Sequence, residues 1–568
     1  MSTKQTYRDE FPETARAIRY LLAAAFVSVG VAGLFGMLQA LFRTDYLRFF
    51  SNSDYYTILT AHGVMMAYFF TIFSLVAIFA WAVTRSLDRP FPNPKFTMGW
   101  VWLMIFGAVL TLITIFGKWI PGLPLKADVL YTFYAPMKAS PTFYLGLALF
   151  VVGSWLAGYD YFRTWWSWKQ DNPDERIPLQ TFMALTTMLM WYLSSLGVAI
   201  EVLVLLLPWS IGIVKDVNPL LTRSLFWYTG HAIVYFWLLP AYLLWYTVLP
   251  KLSGGRLFSD PLARVVFVLF LLLSTPVGFH HQYLDPGISQ GFKFVTMTTT
   301  MFIVLPSLVT AFTVVASMEH GARQRGGKGY LSWLRALPWE KPEFSAMALA
   351  GLMFAAGGFS GMINAGMNID YRVHNTIWIP GHFHLTVGTA VGLTLMGASY
   401  WLIPQLTGKR LRLTKLAMVQ PYLWFVGMTF MSNAMHRAGL TGDPRRTADP
   451  TYQDVSFHGI VGSMGEMRMQ IALGGVLLFV SLLLFLAVIT RTWLGERDGD
   501  IRVNGVIPPA LSGPEDGPRV LDNLWLWMGI AILLVIIVYA IPFAGLIGQS
   551  GLFGSSPGVV PGWILSFG

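Results

Sequence analysis

The run Val373-His-Asn-Thr-Ile-Trp-Ile-Pro-Gly-His-Phe-His-Leu-Thr-Val-Gly388 opens an apolar stretch that continues to Ile403 and carries two imidazoles inside it, His382 and His384. Ionisable side chains at membrane depth are costly and are read as functional by default. On a helix, residues two apart point about 200° from one another, so these rings face opposite sides and do not easily share one metal. The spacing therefore predicts two metal sites, one on each side of this helix.

The rest of the chain agrees with a membrane setting. Of 568 residues, 55% are hydrophobic and only 12% charged, with 22 Trp, which places the chain among polytopic membrane proteins rather than soluble ones. Apolar runs of spanning length, about 20 residues each, fall at Tyr20–Phe42, Tyr56–Val83, Phe96–Gly117, Phe143–Phe162, Leu179–Leu207, Ser224–Leu249, Val265–Tyr283, Phe292–Met318, Phe344–Ile363, Val373–Ile403, Leu416–Ala438, Gln470–Ile489 and Leu524–Gln549. The expectation is an all-α polytopic protein of about 13 transmembrane helices, with residues 1–568 forming a single membrane domain. Strand-length alternating segments with hairpin turns are missing, which argues against a β-barrel.

Charge sets the orientation. With a cytoplasmic N-terminus, 26 of the 39 Lys and Arg residues fall on the inner side, as the positive-inside rule asks. Residues 1–19 are then a cytoplasmic segment and 495–522 a cytoplasmic linker before the last helix, while the uncharged tail 550–568 lies outside. The first apolar run begins near Tyr20, is too long for a signal-peptide core and lacks a small-residue cleavage site, so it is expected to remain. The net charge of +10 is assigned to topology and lipid contact, not to nucleic acid, because no basic run with interleaved stacking aromatics is present. Cysteine is absent, which removes disulfides, thiolate metal sites, iron–sulfur clusters and covalently attached haem from this chain.

Counted from outer charges, His62 lies eight residues past Asp54, His231 eight past Arg223, His280 five before Asp285 and His382 ten past Arg372. At 1.5 Å per residue all four sit roughly 8 to 15 Å below the outer surface. Any one of them has a bland reading, a hydrogen bond to a neighbouring helix. Six imidazoles at one level, with His281 and His384 included, point instead to metals. His231 with the adjacent His280 and His281 makes a three-imidazole site suited to Cu, Zn or ferrous iron, with room for substrate at an unfilled position. His62 facing His384 could supply both axial ligands of a haem, and His382 could hold a second haem by one face only. Helix geometry is symmetric as to which of His382 and His384 serves which haem.

Trp-Tyr-Thr-Gly-His-Ala-Ile-Val-Tyr at 227–235, the pair His280–His281, Pro-Gly-His-Phe-His at 380–384 and His-Arg-Ala-Gly-Leu-Thr-Gly-Asp-Pro-Arg-Arg at 436–446 together resemble subunit I of the haem–copper oxygen reductases. The order and spacing match over most of the chain, and the resemblance is greatest to the B-type, ba3-like cytochrome c oxidases. It implies a haem–copper oxidase bundle, with His62 and His384 on a low-spin haem of b type. It implies His382 on a high-spin haem of a type, and His231, His280 and His281 on one copper, CuB. The implied reaction is reduction of O2 to water with electrons from a c-type cytochrome, coupled to proton translocation in a prokaryotic plasma membrane. With no Cys here, the dinuclear copper entry site must belong to a partner subunit II; a quinol donor is the other possibility this chain leaves open.

The resemblance also gives roles to polar residues that alone read as helix glue. Tyr235, one turn after His231 and on the same helix face, is the tyrosine linked covalently to a copper-binding His in the family. Tyr242 and Tyr246 continue its face, and Ser307, Thr310 and Thr313 descend a stripe of the eighth span; in B-type enzymes these positions line the single proton-uptake path. Ile233 stands where A-type enzymes have a Glu that ends a second path, and Ala232 where the family usually has Pro. Arg445 and Arg446 are expected on haem propionates, with Asp370 and His374 as further propionate partners. Glu201, inside the fifth span, has no assigned role. Two other readings compete. One is a nitric-oxide reductase of the same superfamily, which Tyr235 and the lack of a Glu beside His231 oppose. The other is a polytopic transporter, which would not explain the histidines.

Overall fold

The structure is a computed structural model that describes residues 6–44, 47–448, 463–497 and 507–553. Most of the tail 550–568, the start of the segment 1–19 and the middle of the linker 495–522 lie outside the described residues. Thirteen helices of 14 residues or more make up the described bundle: α1 Pro12–Phe42, α2 Asn52–Ser86, α3 Pro94–Trp119, α4 Pro141–Asp171, α5 Leu179–Ser210, α6 Pro219–Leu252, α7 Asp260–Leu273, α8 Gln290–Gln324, α9 Pro342–Ala365, α10 Trp378–Thr407, α11 Thr414–Leu440, α12 Met464–Leu494 and α13 Leu524–Ser550. Eleven of them are long and apolar enough to cross a membrane by length and composition. The other two are α7, which is short, and α11, whose sequence is diluted by Lys415, Gln420, Asn433, His436 and Arg437.

Local chemistry fixes where these helices begin. Pro12, Pro94, Pro141, Pro219 and Pro342 occupy first-turn positions, where a missing N–H costs nothing. Asn218 accepts from the N–H groups of Leu220 and Leu221 to cap α6, and Ser463 with Glu466 forms a capping box on α12.

Burial then separates inner from outer helices. The apolar stretches of α2, α6 and α10 are 83%, 89% and 83% buried, against 39% for α1 and 33% for α8. The inner three are the helices that carry His62, His231 and the His382–His384 pair. α8 shows the outer kind: Leu305, Leu308, Phe312 and Val315 are exposed along one face, as lipid contact demands, while Thr310, Thr313 and Ser317 are buried on the other.

Two expected spans are interrupted. The seventh does not run through to Tyr283: α7 ends at Leu273, Pro276 offers no N–H to continue it, and a tight 3-10 turn Gly278–Gln282 follows. The tenth begins at Trp378 rather than Val373, because a short helix Met367–Val373 ends first and Asn375 adopts a left-handed φ of 58°. Both breaks bear on the site.

Candidate metal and haem site

On a continuous α-helix adjacent side chains diverge by about 100°. Leaving the helix lets His280 and His281 converge with His231 instead: the ring centroids are 4.3 Å apart for His231–His280 and His280–His281, and 5.3 Å for His231–His281. One nitrogen from each ring lies within 4.8 Å of the others, and among the described residues this is the single group of three or more metal-type side chains so placed. Nδ1 of His231 and Nε2 of His281 are 3.1 Å apart.

Neighbours hold each ring. His280 Nδ1 lies 2.8 Å from Thr300 Oγ1, whose own proton goes to the Thr296 carbonyl; the hydroxyl therefore accepts, and Nε2 keeps its lone pair. The His281 ring stacks on Trp227 at 4.1 Å. His231 Nε2 is buried with no partner. A buried polar atom left unpaired costs about 1–3 kcal/mol, so three converging imidazoles are a poor structural device and a good ligand set. The donor chemistry, neutral nitrogen throughout, fits copper.

The other three histidines show a different pattern. His62 donates Nδ1–H to the Ala32 carbonyl at 2.8 Å and His384 donates to the Pro380 carbonyl at 2.7 Å, which leaves Nε2 free on both rings. Their rings are nearly parallel, 13° apart in plane, with centroids 6.3 Å apart. Metal–imidazole bonds run about 2 Å, and that separation accommodates one metal between two rings. His382 turns the other way, towards α9, with Nδ1 3.1 Å from the Gly357 carbonyl and 3.0 Å from Ser360 Oγ. The rings two residues apart thus reach opposite sides of α10, and His384 opens a π-helical turn, His384–Val391, that widens the helix there.

Glycine makes room for these rings. A Cβ on Gly36 of α1 would lie 2.7 Å from His62 Cε1, and one on Gly361 of α9 would lie 3.0 Å from His382 Cε1. Neither glycine stood out in the sequence, because clearance belongs to the partner helix and leaves no local pattern.

Tyr235 packs beside His231 with ring centroids 5.0 Å apart. Further along α6, Tyr242 donates to Ser307 at 3.2 Å and the Tyr246 hydroxyl lies 2.7 Å from that of Thr310. Thr313 bonds the Val309 carbonyl of its own helix. The tyrosines of α6 and the hydroxyls of α8 therefore meet as pairs rather than forming two separate ladders.

At the outer ends, the loop after α11 is zipped to the start of α10. Ile377 donates to the Asp443 carbonyl at 2.8 Å, Arg445 N–H to the Asn375 carbonyl at 3.0 Å, and Arg445 Nη2 to Asn375 Oδ1 at 3.0 Å. Arg446 takes a φ of 63°, a region costly to a side chain this size, and its guanidinium donates to Tyr131 and Tyr134. Burial and the adjacent Arg446 push Arg445 down to about 10. Burial works to raise the Tyr134 phenol, but Arg446, Arg223 and Arg445 outweigh it and hold it below its usual value. Arg445 Nε is buried without a partner, so the cluster is short of anions. His374 and Asp370 pair with each other, Nδ1 to Oδ2 at 2.7 Å. Tyr131 and Tyr134, in a loop with no motif to mark it, complete the cluster. Glu201 opens another π-helical turn, Glu201–Leu206, with both carboxylate oxygens buried and unpartnered.

Residues 16–477 match the family of cytochrome c and quinol oxidase polypeptide I. The chain belongs to that family. It is similar to cytochrome c oxidase subunit 1 of Thermus thermophilus, 43% identical over 570 residues covering 98% of each chain. It is also similar to cytochrome c oxidase polypeptide 1 of Halobacterium salinarum, 27% identical over 84% of this chain and 76% of the other. Its fold superposes on one chain of a heme-copper terminal oxidase dimer solved by cryo-electron microscopy, with a TM-score of 0.86 and 34% identity over 93% of this chain and 92% of that one. The protein is therefore the catalytic subunit of a terminal oxidase of the cytochrome c oxidase type, an oxidoreductase in the plasma membrane whose family carries haems and CuB. The nitric-oxide reductase and transporter readings are not favoured by these likenesses.

Proposed function

We propose that the chain reduces O2 to water at a centre made by His382 on one side and His231, His280 and His281 on the other, with His62 and His384 holding the haem that delivers electrons. The observation that carries this is the convergence of three imidazoles on one point, with His62 and His384 facing each other across 6.3 Å between α2 and α10. The haems supply the electron transfer and, with copper, the O2 chemistry. The protein's part is to fix tautomers, through the Ala32, Pro380 and Gly357 carbonyls, so that each ligand presents a lone pair.

Tyr235 supplies an electron and a proton beside the bound gas in this reading, as the resemblance to B-type enzymes implies. The family links this tyrosine covalently to a copper-binding His, and His231 is the imidazole that Tyr235 packs beside. Protons reach Tyr235 from the cytoplasmic side along Thr313, the Thr310–Tyr246 pair and the Ser307–Tyr242 pair. Thr310 gives its own proton to the Pro306 carbonyl at 2.8 Å, so its oxygen accepts from Tyr246 in the resting arrangement and must turn for a proton to pass. Arg445 and Arg446 neutralise propionates, with the hydrogen-bonded Asp370 and His374 as further partners.

The finer assignments belong to the same reading: a low-spin haem of b type, a high-spin haem of a type, proton translocation, a cytochrome c donor, a subunit II with the dinuclear copper site, a cytoplasmic N-terminus and an outer C-terminus. Metal analysis and a CO spectrum of the reduced, purified protein test the core of it. Two haems and one copper per chain, with one haem binding CO, is the expected result. Iron in place of copper, or CO on both haems, overturns it.

A further inference from the structure

The turn that carries His280 and His281 is not part of any long helix, yet its two rings must meet His231 to within a few tenths of an ångström to share a metal. Its exit is held densely. Gln282 donates to Ser224 and Asp285, Tyr283 donates to the Ala365 carbonyl at 2.7 Å, and Lys293 Nζ donates to the Tyr283 and Asp285 carbonyls. Its entrance, the break from Ser274 to Gly278, is held by one side chain from the far end of the chain. The hydroxyl of Tyr539 on α13 accepts from Gly278 N–H at 2.8 Å and donates to the Thr275 carbonyl at 3.0 Å, closing both ends of the break with one oxygen.

That hydroxyl is itself fixed. Tyr539 is 3% exposed and packs its ring on Phe279 at 5.1 Å, Tyr228 at 4.8 Å and Phe543 at 5.4 Å. A Cβ on Gly278 would lie 2.5 Å from the Tyr539 hydroxyl and 2.5 Å from the Trp227 carbonyl, so the contact leaves no space for any other residue at 278. The height of α13 is set at its start. Asp522 accepts from Arg264 Nη1 at 2.5 Å and from Arg176 Nε at 2.7 Å, and Arg264 also binds Asp260 at the head of α7. The helix that brings Tyr539 is therefore pinned to the same helix that leads into the histidine turn, roughly 25 Å away along α13.

We propose that Tyr539 is a positioning residue for the copper ligands: α13 acts as a strut whose tyrosine sets the direction in which His280 and His281 enter the site. The inference rests on the reading of these histidines as copper ligands. Removing a group hydrogen-bonded directly to a metal ligand costs about 10- to 100-fold in metal affinity; Tyr539 acts through the backbone that carries the ligands, which sets the expectation at the low end. In the purified holoenzyme, Tyr539→Phe is expected to keep both haem absorbances, to lose copper to a Cu(I) chelator at about tenfold lower chelator concentration than wild type, and to broaden or shift the C–O stretch of CO bound at copper after photolysis from haem. Tyr228→Phe, which removes a hydroxyl bonded to the Leu193 carbonyl one ring away, is the control and should match wild type on both readouts. If Tyr539→Phe does not assemble, 3,5-difluorotyrosine placed at 539 keeps the ring and weakens the hydroxyl as an acceptor from Gly278 N–H, and should show the same two changes in smaller degree. A Tyr539→Phe enzyme with wild-type chelator resistance and an unshifted C–O stretch overturns the proposal. Retention of copper in His280→Ala and His281→Ala would instead overturn the ligand reading, so the two failures are distinguishable.

Discussion

The hydroxyls of Tyr246 and Thr310 lie 2.7 Å apart across the contact between α6 and α8, one helical turn below the bond from Tyr242 to Ser307. Each pair joins an inner helix that carries a metal-type histidine to an outer helix that faces lipid. Thr310→Val keeps the shape of the side chain and removes the shared oxygen. Turnover is expected to fall about tenfold or more with haem content unchanged, measured as O2 uptake with an artificial donor; undiminished uptake would remove this pair from the proton path.

The two imidazoles on α10 can be told apart by what disappears. His384→Ala should abolish the absorbance of the haem that does not bind CO, and His382→Ala that of the haem that does. The reverse outcome would exchange the roles of these rings, the one point on which helix geometry is symmetric.

Clearance at glycine gives a third test. With only 2.7 Å between an added Cβ and His62 Cε1, Gly36→Ala must displace the ring, and overpacking of this kind costs about 1–3 kcal/mol. Low-spin haem should be lost on mild heating from the variant before wild type. Gly361→Ala, with 3.0 Å to His382 Cε1, should show a smaller loss at the other haem, and Gly99→Ala, which meets nothing within 4 Å, should show none.

Asp443 is fully buried and takes Arg43 Nη2 at 3.1 Å and Arg468 Nη2 at 3.3 Å on one oxygen. Asp443→Asn leaves two cations facing each other without their anion, a change worth about 3 kcal/mol or more in buried sites. The loop that carries Arg445 and Arg446 should loosen, seen as a lower Tm and faster amide exchange at 441–447. A thermal midpoint equal to wild type would mean the loop is held by its backbone bonds to Asn375 and Ile377 alone.

The six histidines were legible in the sequence because each is an expensive residue at a depth that can be counted from a charge. The tyrosine and hydroxyl stripes were legible for the same reason, since period and polarity are local. What the sequence could not carry lies between elements. The span drawn through Val265–Tyr283 looked continuous because Ser274, Thr275 and Pro276 hardly dilute its apolar character, yet one missing N–H at Pro276 ends the helix and lets His280 and His281 converge. Gly36, Thr300, Ser360 and Tyr539 act on residues far away in the chain, and no periodicity marks them. Tyr131 and Tyr134 sit in a loop whose value comes only from Arg446 lying over it.

Because His382 and His384 are separated by one residue on a single backbone, the distance between their Cα atoms is set by helix geometry rather than by packing between helices. The helices around α10 can breathe without stretching it. In the proposed assignment, a backbone link of this kind would make the spacing of the two haems less sensitive to motion of the surrounding helices. The hydroxyl pairs between α6 and α8, by contrast, are joined only by hydrogen bonds that can open.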